Sequence, residues 1–506
     1  MMAGIHTRYR FSLGALLQDL LPVPEAADRP VTGLCADSRE VQPGDLFIAR
    51  RGLRVDGADF IDKALERGAV AALWEPQPGV AAVPVAWRHP ASGTPVPVLA
   101  MPDLADRLGE IADRFYANPS RALTITGITG TNGKTSVSHF LAHALSGETP
   151  WGVIGTLGTG LAGELTPATH TTPDVIRLHR ALAELRESGA AGVAMEVSSH
   201  ALDQHRVDRV RFDFAVFTNL SRDHLDYHGD MASYAAAKRR LFGWPELRGA
   251  VINVDDPAGR EIAAALPPAL PVLRYGLDPA RAPDLLARHV TLTPQGLQAE
   301  VVTPAGAGRL TAPLLGRFNV ANLLATLGVL LLHELPLETA LARLATVPPV
   351  PGRMERFGGA GRPQVVVDYA HTPDALAQVL TALREHRPAR LVCVFGCGGD
   401  RDRGKRPLMG EVAERLADRV IVTDDNPRSE DPARIRAEIL AGMARPEAVA
   451  TIGDRRAAIH RAVAEAGADD LVLVAGKGHE NWQILEAGRI PFSDADEVRA
   501  ALEAWR

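Results

Sequence analysis

Thr124-Ile-Thr-Gly-Ile-Thr-Gly-Thr-Asn-Gly-Lys-Thr135 sets a short β-branched run against a glycine-rich turn, with a basic residue where a helical pattern begins. β-Branched side chains suit a pleated strand and glycines permit a tight turn, so the stretch reads as strand, loop and helix. The backbone N–H groups of such a loop, together with the positive end of the following helix, can cradle phosphates. Lys134 then reaches the β- and γ-phosphates, and Thr135 a magnesium ion. The usual phosphate-loop spacing would put its first glycine at position 128; here that residue is Ile, with glycines at 127 and 130. Nucleotide binding follows from the loop, but kinases, motors and ligases share such loops, so activity does not.

Outward from the loop, Ala122–Ile128, Gly192–Val197, Phe212–Phe217 and Gly249–Val254 are apolar runs separated by helical patterns. Strands alternating with helices imply a mostly parallel sheet. The last third repeats the rhythm: Gln364–Val367, Arg390–Phe395, Arg419–Thr423 and Asp470–Ala475 read as strands, with helices at Asp374–Arg384 and Pro432–Met443. Ligands of doubly wound sheets bind beyond the carboxyl ends of the strands. Polar, glycine-rich segments fall at those ends: Gly130–Thr135, Glu196–His200, Asn219–His228, Asp368–Asp374, Gly396–Arg406, Asp424–Arg428 and Gly476–Glu480.

The chain has 506 residues, more than one hydrophobic core supports. Pro- and Gly-rich stretches at Pro76–Pro102 and Val347–Gly361 divide it into segments 1–103, 104–349 and 350–506. A net charge of -6, with no tail of one sign, gives no footprint for nucleic acid. The longest apolar runs, such as Leu323–Leu332, are too short to span a bilayer, and Met1–Leu20 lacks a signal peptide's apolar core. The expected location is the cytoplasm, without membrane insertion, and the expected state is a monomer. Cys35, Cys393 and Cys397 cannot form a disulfide framework, and the spacing of the last two differs from common zinc and redox motifs. They read as reduced, inert thiols.

Gly130-Thr-Asn-Gly-Lys-Thr135 resembles the ATP loop of Mur ligases and folylpolyglutamate synthases, and further motifs follow in order. Glu196-Val-Ser-Ser-His-Ala-Leu202, Thr218-Asn-Leu-Ser-Arg-Asp-His-Leu-Asp-Tyr-His228, Phe318-Asn-Val-Ala-Asn322 and Pro351-Gly-Arg353 resemble central and C-terminal signatures of the Mur ligase family. The resemblance spans nearly the whole chain. It implies a three-domain α/β architecture: an N-terminal UDP-muramoyl-binding domain, a central phosphate-loop mononucleotide-binding domain, and a C-terminal Rossmann-like domain that binds the amino acid. Asp37-Ser-Arg39, His170-Thr-Thr-Pro-Asp174 and Gly396-Cys-Gly-Gly-Asp-Arg401 are similar to those of the family's third-residue ligases, and Asp425-Asn-Pro-Arg428 to the meso-diaminopimelate type.

The activity so implied is an ATP-dependent amide ligation in peptidoglycan precursor biosynthesis. It joins meso-2,6-diaminopimelate to UDP-N-acetylmuramoyl-L-alanyl-D-glutamate through an acyl phosphate, releasing ADP and phosphate. ATP would contact Gly130, Thr131, Asn132, Gly133, Lys134, Thr135, Asn322, Arg353 and Asp368. Two magnesium ions would be held by Thr135, Glu196, His224 and Lys238. In pattern, Lys238 of Tyr234-Ala-Ala-Ala-Lys-Arg-Arg-Leu-Phe242 is one cation on a solvated helix face. The resemblance instead implies carbamylation, which turns a metal-repelling ammonium into an anion.

Ser38, the Asp56-Gly57 turn, Thr171, Thr172, Ser198, Gln204 and Arg206 would hold the UDP-muramoyl dipeptide. Taken alone, Ser38 and the turn are read nearly as well as a helix cap and a turn. Arg401, Asp425, Asn426, Pro427, Arg428, Gly476 and Glu480 would hold diaminopimelate, with guanidinium groups for its carboxylates and Glu480 for its remote ammonium. A same-family ligase using L-lysine, and a phosphate-loop NTPase switch from another class, are the alternatives.

Overall fold

The computed structural model describes residues 9–52, 56–77, 85–88, 93–147, 149–168, 170–293 and 296–505. The chain packs as two compact units, Met1–Leu273 and Arg274–Arg506.

The first unit opens with a sheet ordered Gly33–Cys35, Asp45–Ala49, Ala71–Trp74, Pro95–Ala100, Val85–Arg88, parallel except for its last pair. Part of the stretch read as a border, 76–102, therefore supplies strands, although its residues 78–84 and 89–92 lie outside the described ones. The helix Leu104–Phe115 buries Leu104, Leu108 and Ile111 in one cluster with Leu13, Leu34 and Leu46.

Beyond it, Trp151–Gly155, Gly192–Glu196, Thr124–Thr129, Phe214–Phe217 and Gly249–Asn253 lie side by side in parallel, in that order. The phosphate-loop strand is thus the central one of the five, and Gly192–Glu196 is buried at every position, as strands covered on both faces are. The phosphate-loop strand begins at Thr124, two residues later than expected, because Pro119–Ala122 forms a 3-10 turn.

The second unit contains the antiparallel strands Leu285–Thr293, Gly296–Thr303 and Gly306–Ala312 and the buried helix Phe318–Leu332. Its other sheet is ordered Glu355–Gly358, Gln364–Asp368, Leu471–Ala475, Leu391–Phe395, Arg419–Val422, Ala450–Thr451, and only the first pair is antiparallel. Thr372 caps the helix Pro373–Arg384 and Asp431 the helix Pro432–Leu440, each side chain satisfying an amide that the first turn leaves open. A hairpin, Trp482–Leu485 with Gly488–Pro491, follows the Leu471–Ala475 strand. The three cysteines are buried and free, and burial pushes the thiol of Cys393 up to about 12. Among the described residues no helix is long and apolar enough to cross a membrane.

Candidate active site

The loop Gly130–Gly133 turns between the strand Thr124–Thr129 and the helix Lys134–Leu145. Gly130 has φ +145°, and a Cβ there would stand 1.9 Å from Thr218 Oγ1, so the loop needs glycine at this point. The loop is stitched to the neighbouring strand end: Asn219 Oδ1 accepts from Asn132 N at 2.9 Å, and Thr218 Oγ1 donates to Asn132 O at 2.6 Å. Thr131 N donates to Asn219 O at 2.8 Å. The Lys134 ammonium folds over the loop onto the carbonyls of Gly130 and Thr131, at 2.8 and 2.9 Å. A cation is thereby stationed at the helix N-terminus, where phosphate oxygens are stabilised.

Glu196 ends the adjacent strand and is fully buried. Thr135 Oγ1 donates to its Oε2 at 3.0 Å, Thr156 N to its Oε1 at 2.8 Å, and Thr156 Oγ1 lies 3.1 Å from Oε2. These partners are neutral, and among the described residues no ion pair reaches Glu196. A buried carboxylate without a counter-charge is costly, and the oxygens of Glu196 and Thr135 have the hardness a magnesium ion selects. Thr156 carries no sequence signal, since a single Thr in an unmarked loop looks like any other.

Lys238 lies in the last turn of Met231–Arg239 and is buried, which rules out a solvated helix face. Its Nζ donates to Gly130 O at 2.8 Å and sits 4.4 Å from the centroid of the Tyr234 ring, whose hydroxyl is 3.2 Å from Thr131 Oγ1. Burial, reinforced by the Lys134 charge, holds the Lys238 pKa well below the ordinary lysine value. His224, in the left-handed region at φ 53°, stacks edge-on against His200 with centroids 4.8 Å apart. Among the described residues no three His, Cys, Asp or Glu are grouped so as to hold a metal by themselves.

Four of the expected acceptor-binding residues form one hydrogen-bonded set in this unit. Thr172 Oγ1 donates to Glu196 O at 2.8 Å and accepts from Ser198 N at 3.1 Å, while Ser198 Oγ caps the helix Ser199–Asp203. The Arg206 guanidinium is held by Gln204 Oε1, at 3.0 Å from Nε, and by Thr172 O, at 3.2 Å from Nη1. No carboxylate among the described residues pairs with Arg206. Thr171 Oγ1 lies 3.1 Å from Thr156 Oγ1, which links this set to Glu196. Ser38 is buried in the loop where Asp37 grips Arg39 at 2.7 Å, and Asp56 caps the 3-10 helix Gly57–Phe60.

The remaining candidates belong to the second unit. Asn322 Nδ2 donates to Asn319 Oδ1 at 2.9 Å within one helix. Arg353 lies over the Tyr369 ring at 4.6 Å. Both Asp368 oxygens accept backbone amides, of Met354 and Ala370, at 2.8 Å; burial raises its pKa and Arg353 opposes that. Whatever else it does, Asp368 braces this turn.

At the carboxyl ends of Arg419–Val422 and Leu471–Ala475, Asn426 Nδ2 donates to Glu480 Oε2 at 2.7 Å. Gly476, at φ +116°, passes so close to Asp425 that a Cβ would lie 2.6 Å from its Oδ2. Arg428, at φ 54°, spends only Nη1 on the described residues, on Gly399 O at 2.7 Å and Asn426 O at 3.5 Å. Among the described residues Arg401 likewise uses only Nη1, on Asp400 O. Both side chains flank Gly398, whose absent Cβ would stand 2.8 Å from Arg428 Nη1 and 3.8 Å from Arg401 Cγ. Pro427 turns the chain between Asn426 and Arg428, its carbonyl accepting from Glu430 N at 3.1 Å. Beneath this loop the buried Arg406 donates to Glu430 at 2.8 Å, to Glu438 at 2.6 Å and to Gly398 O at 3.2 Å. Lys477, which the sequence reading passed over, is the buried centre of the cluster, although it stands inside the Gly476–Glu480 segment already marked at a strand end.

The chain matches three family profiles in succession: "Mur ligase family, catalytic domain" over residues 30–116, "Mur ligase middle domain" over 128–330 and "Mur ligase, glutamate ligase domain" over 352–478. It is 52% identical over 491 residues, 97% of this chain and 98% of the relative, to the "UDP-N-acetylmuramoyl-L-alanyl-D-glutamate--2,6-diaminopimelate ligase" of Alkalilimnicola ehrlichii. The protein of the same name from Coxiella burnetii is 50% identical over 94% of this chain and 96% of its own length. A solved structure of a protein of that name superimposes with a TM-score of 0.68 at 38% identity, covering 96% of this chain and 98% of the other.

Proposed function

The chain belongs to the Mur ligase family, and from that premise we propose that it is the ATP-dependent ligase adding meso-2,6-diaminopimelate to UDP-N-acetylmuramoyl-L-alanyl-D-glutamate. The observation that carries this reading is the identity of about half over nearly the full length of both chains with ligases of that name. The two arginines at the Asn426–Glu480 cluster, whose other donors meet no acceptor among the described residues, suit a ligand bearing two carboxylates.

In this mechanism an oxygen of the D-glutamate side-chain carboxylate attacks the γ-phosphorus of ATP and displaces ADP. An amine of diaminopimelate then attacks the acyl carbon, expels phosphate and loses a proton, leaving an amide. Lys134 and the loop amides stabilise the charge on the transferring phosphoryl group, and Arg206 orients the acceptor peptide through its guanidinium. Thr135, Glu196, His224 and carbamylated Lys238 would hold magnesium, whose contribution is to neutralise phosphate charge. A neutral amine is the form that adds carbon dioxide, and the burial that lowers the Lys238 pKa favours that form. Asn322, Arg353 and Asp368 are assigned to the nucleotide, and Ser38 with the Asp56-Gly57 turn to the uridine end of the acceptor. We assign the three domains to 1–103, 104–349 and 350–506, and the working state to a cytoplasmic monomer in peptidoglycan precursor synthesis.

The test is an end-point assay with ATP, the muramoyl dipeptide and either meso-diaminopimelate or L-lysine, read by product mass. The reading requires a diaminopimelate adduct and phosphate release that depends on the dipeptide. A lysine adduct would move the chain to its lysine-adding relatives, and acceptor-independent turnover would make it an NTPase. In the same assay Lys134→Ala is expected to lower turnover by about a hundredfold or more, because the lost charge follows the γ-phosphate into the transition state. Unchanged turnover in a folded variant would remove the phosphate-loop assignment.

A further inference from the structure

Lys477 is fully buried at the end of the strand Leu471–Ala475, yet it carries a charge that must be compensated. An ammonium has three donor hydrogens, and three acceptors surround this one: Asn426 Oδ1 at 3.0 Å, Glu480 Oε2 at 3.0 Å and Trp482 O at 2.6 Å. Every donor is used inside the protein, so Lys477 has none left for a substrate.

Its effect is instead on two neighbours. Because Lys477 only donates, the Asn426 amide must turn its oxygen towards it, a choice that Ile484 N supports by donating to the same oxygen at 3.0 Å. The amide nitrogen of Asn426 is thereby directed to Glu480 Oε2 at 2.7 Å. Lys477 and Asn426 thus both bind Oε2, while Oε1 takes no hydrogen bond from the described residues. The Glu480 side chain is 32% exposed, so the open oxygen has a route to ligand.

We propose that Lys477 is a positioning residue for amino-acid selection, holding one oxygen of Glu480 inward so that the other is presented to the remote ammonium of the incoming diamino acid. The proposal rests on the assignment of Glu480 to that ammonium made above. Without Lys477 the Asn426 amide is free to flip and Glu480 to turn, and the preference for a ligand with a second ammonium falls.

The discriminating probe is 2-aminopimelate, which keeps both carboxylates and lacks the remote amine. Specificity constants for meso-diaminopimelate and 2-aminopimelate are measured in the wild type, Lys477→Met, Glu480→Gln and the double variant. The wild type is expected to prefer diaminopimelate by at least ~100-fold, a preference of the size that buried polar partners impose. Lys477→Met is expected to lose about tenfold or more of that preference through KM for diaminopimelate, with KM for ATP and for the dipeptide unchanged. The double variant should match Glu480→Gln alone, since Lys477 acts through that carboxylate. The double variant also removes the carboxylate that Lys477→Met strands, so it serves as well if the single variant does not fold. Overturning results are a preference retained in Lys477→Met, KM values that rise for all three substrates together, or a double variant whose loss exceeds that of Glu480→Gln. A wild type that does not use diaminopimelate would instead overturn the proposed function itself.

Discussion

Lys238→Ala is expected to lose about a thousandfold or more of the ligation rate while remaining folded, and to regain part of it in acetate. In the proposed mechanism carbamylated Lys238 would help to hold magnesium, and loss of a preorganised charge at a phosphoryl-transfer centre costs two to three orders of magnitude or more. Alanine leaves a space beside Gly130 O and the Tyr234 ring, which now flank the lysine amine, and a small carboxylate can enter it and stand in for the carbamate. Rates with acetate and with chloride at equal ionic strength separate rescue from a salt effect. Full activity in the variant, or equal stimulation by both salts, would remove Lys238 from the metal site and leave it a packing residue.

Arg428→Ala is expected to cut kcat/KM for diaminopimelate by ~10³ to 10⁴-fold, with KM for ATP and for the muramoyl dipeptide little changed. Diaminopimelate differs from lysine by the carboxylate on its distal carbon, and a guanidinium engages a carboxylate through two parallel donors that an ammonium cannot reproduce. Among the described residues Arg428 engages only Nη1, which leaves the donors of Nε and Nη2 for a ligand. A site built on such a pair rejects the analogue lacking it by ~10⁴-fold, because the donors are left unpaired. Lysine use need not rise, since Arg401, Asn426 and Glu480 keep their arrangement. Specificity constants for the two amino acids in both enzymes decide the matter; an unaltered preference in the variant would take the role from Arg428.

Local chemistry explains why the two parallel sheets and the phosphate loop were readable. A β-branched run before Gly130-Thr-Asn-Gly-Lys-Thr135 can scarcely be anything but strand, turn and helix, and the alternation of apolar runs with helical periods sets the sheet type. The motifs in order along the chain carried the family, whose profiles match residues 30–116, 128–330 and 352–478. By contrast, the strands Gly158–Leu161 and Glu164–Thr166 gave no signal, because glycine-rich and short runs lack a period. Pro95–Ala100 looked like a border for the same kind of reason, since two of its six residues are proline and only its place in a sheet makes it a strand.

Among the site residues, their order along the chain established which types are present and at which strand ends. It could not say which are buried. Lys238 in an alanine-rich helix has the pattern of a solvated cation, and only packing against Gly130 and Tyr234 makes it a buried amine with a lowered pKa. Lys477 and Thr156 acquire their meaning from partners 51 and 40 positions away, Asn426 and Glu196. The physical reason is that desolvation and hydrogen-bond saturation depend on everything that surrounds a group, whereas propensity and periodicity depend on its neighbours in the chain.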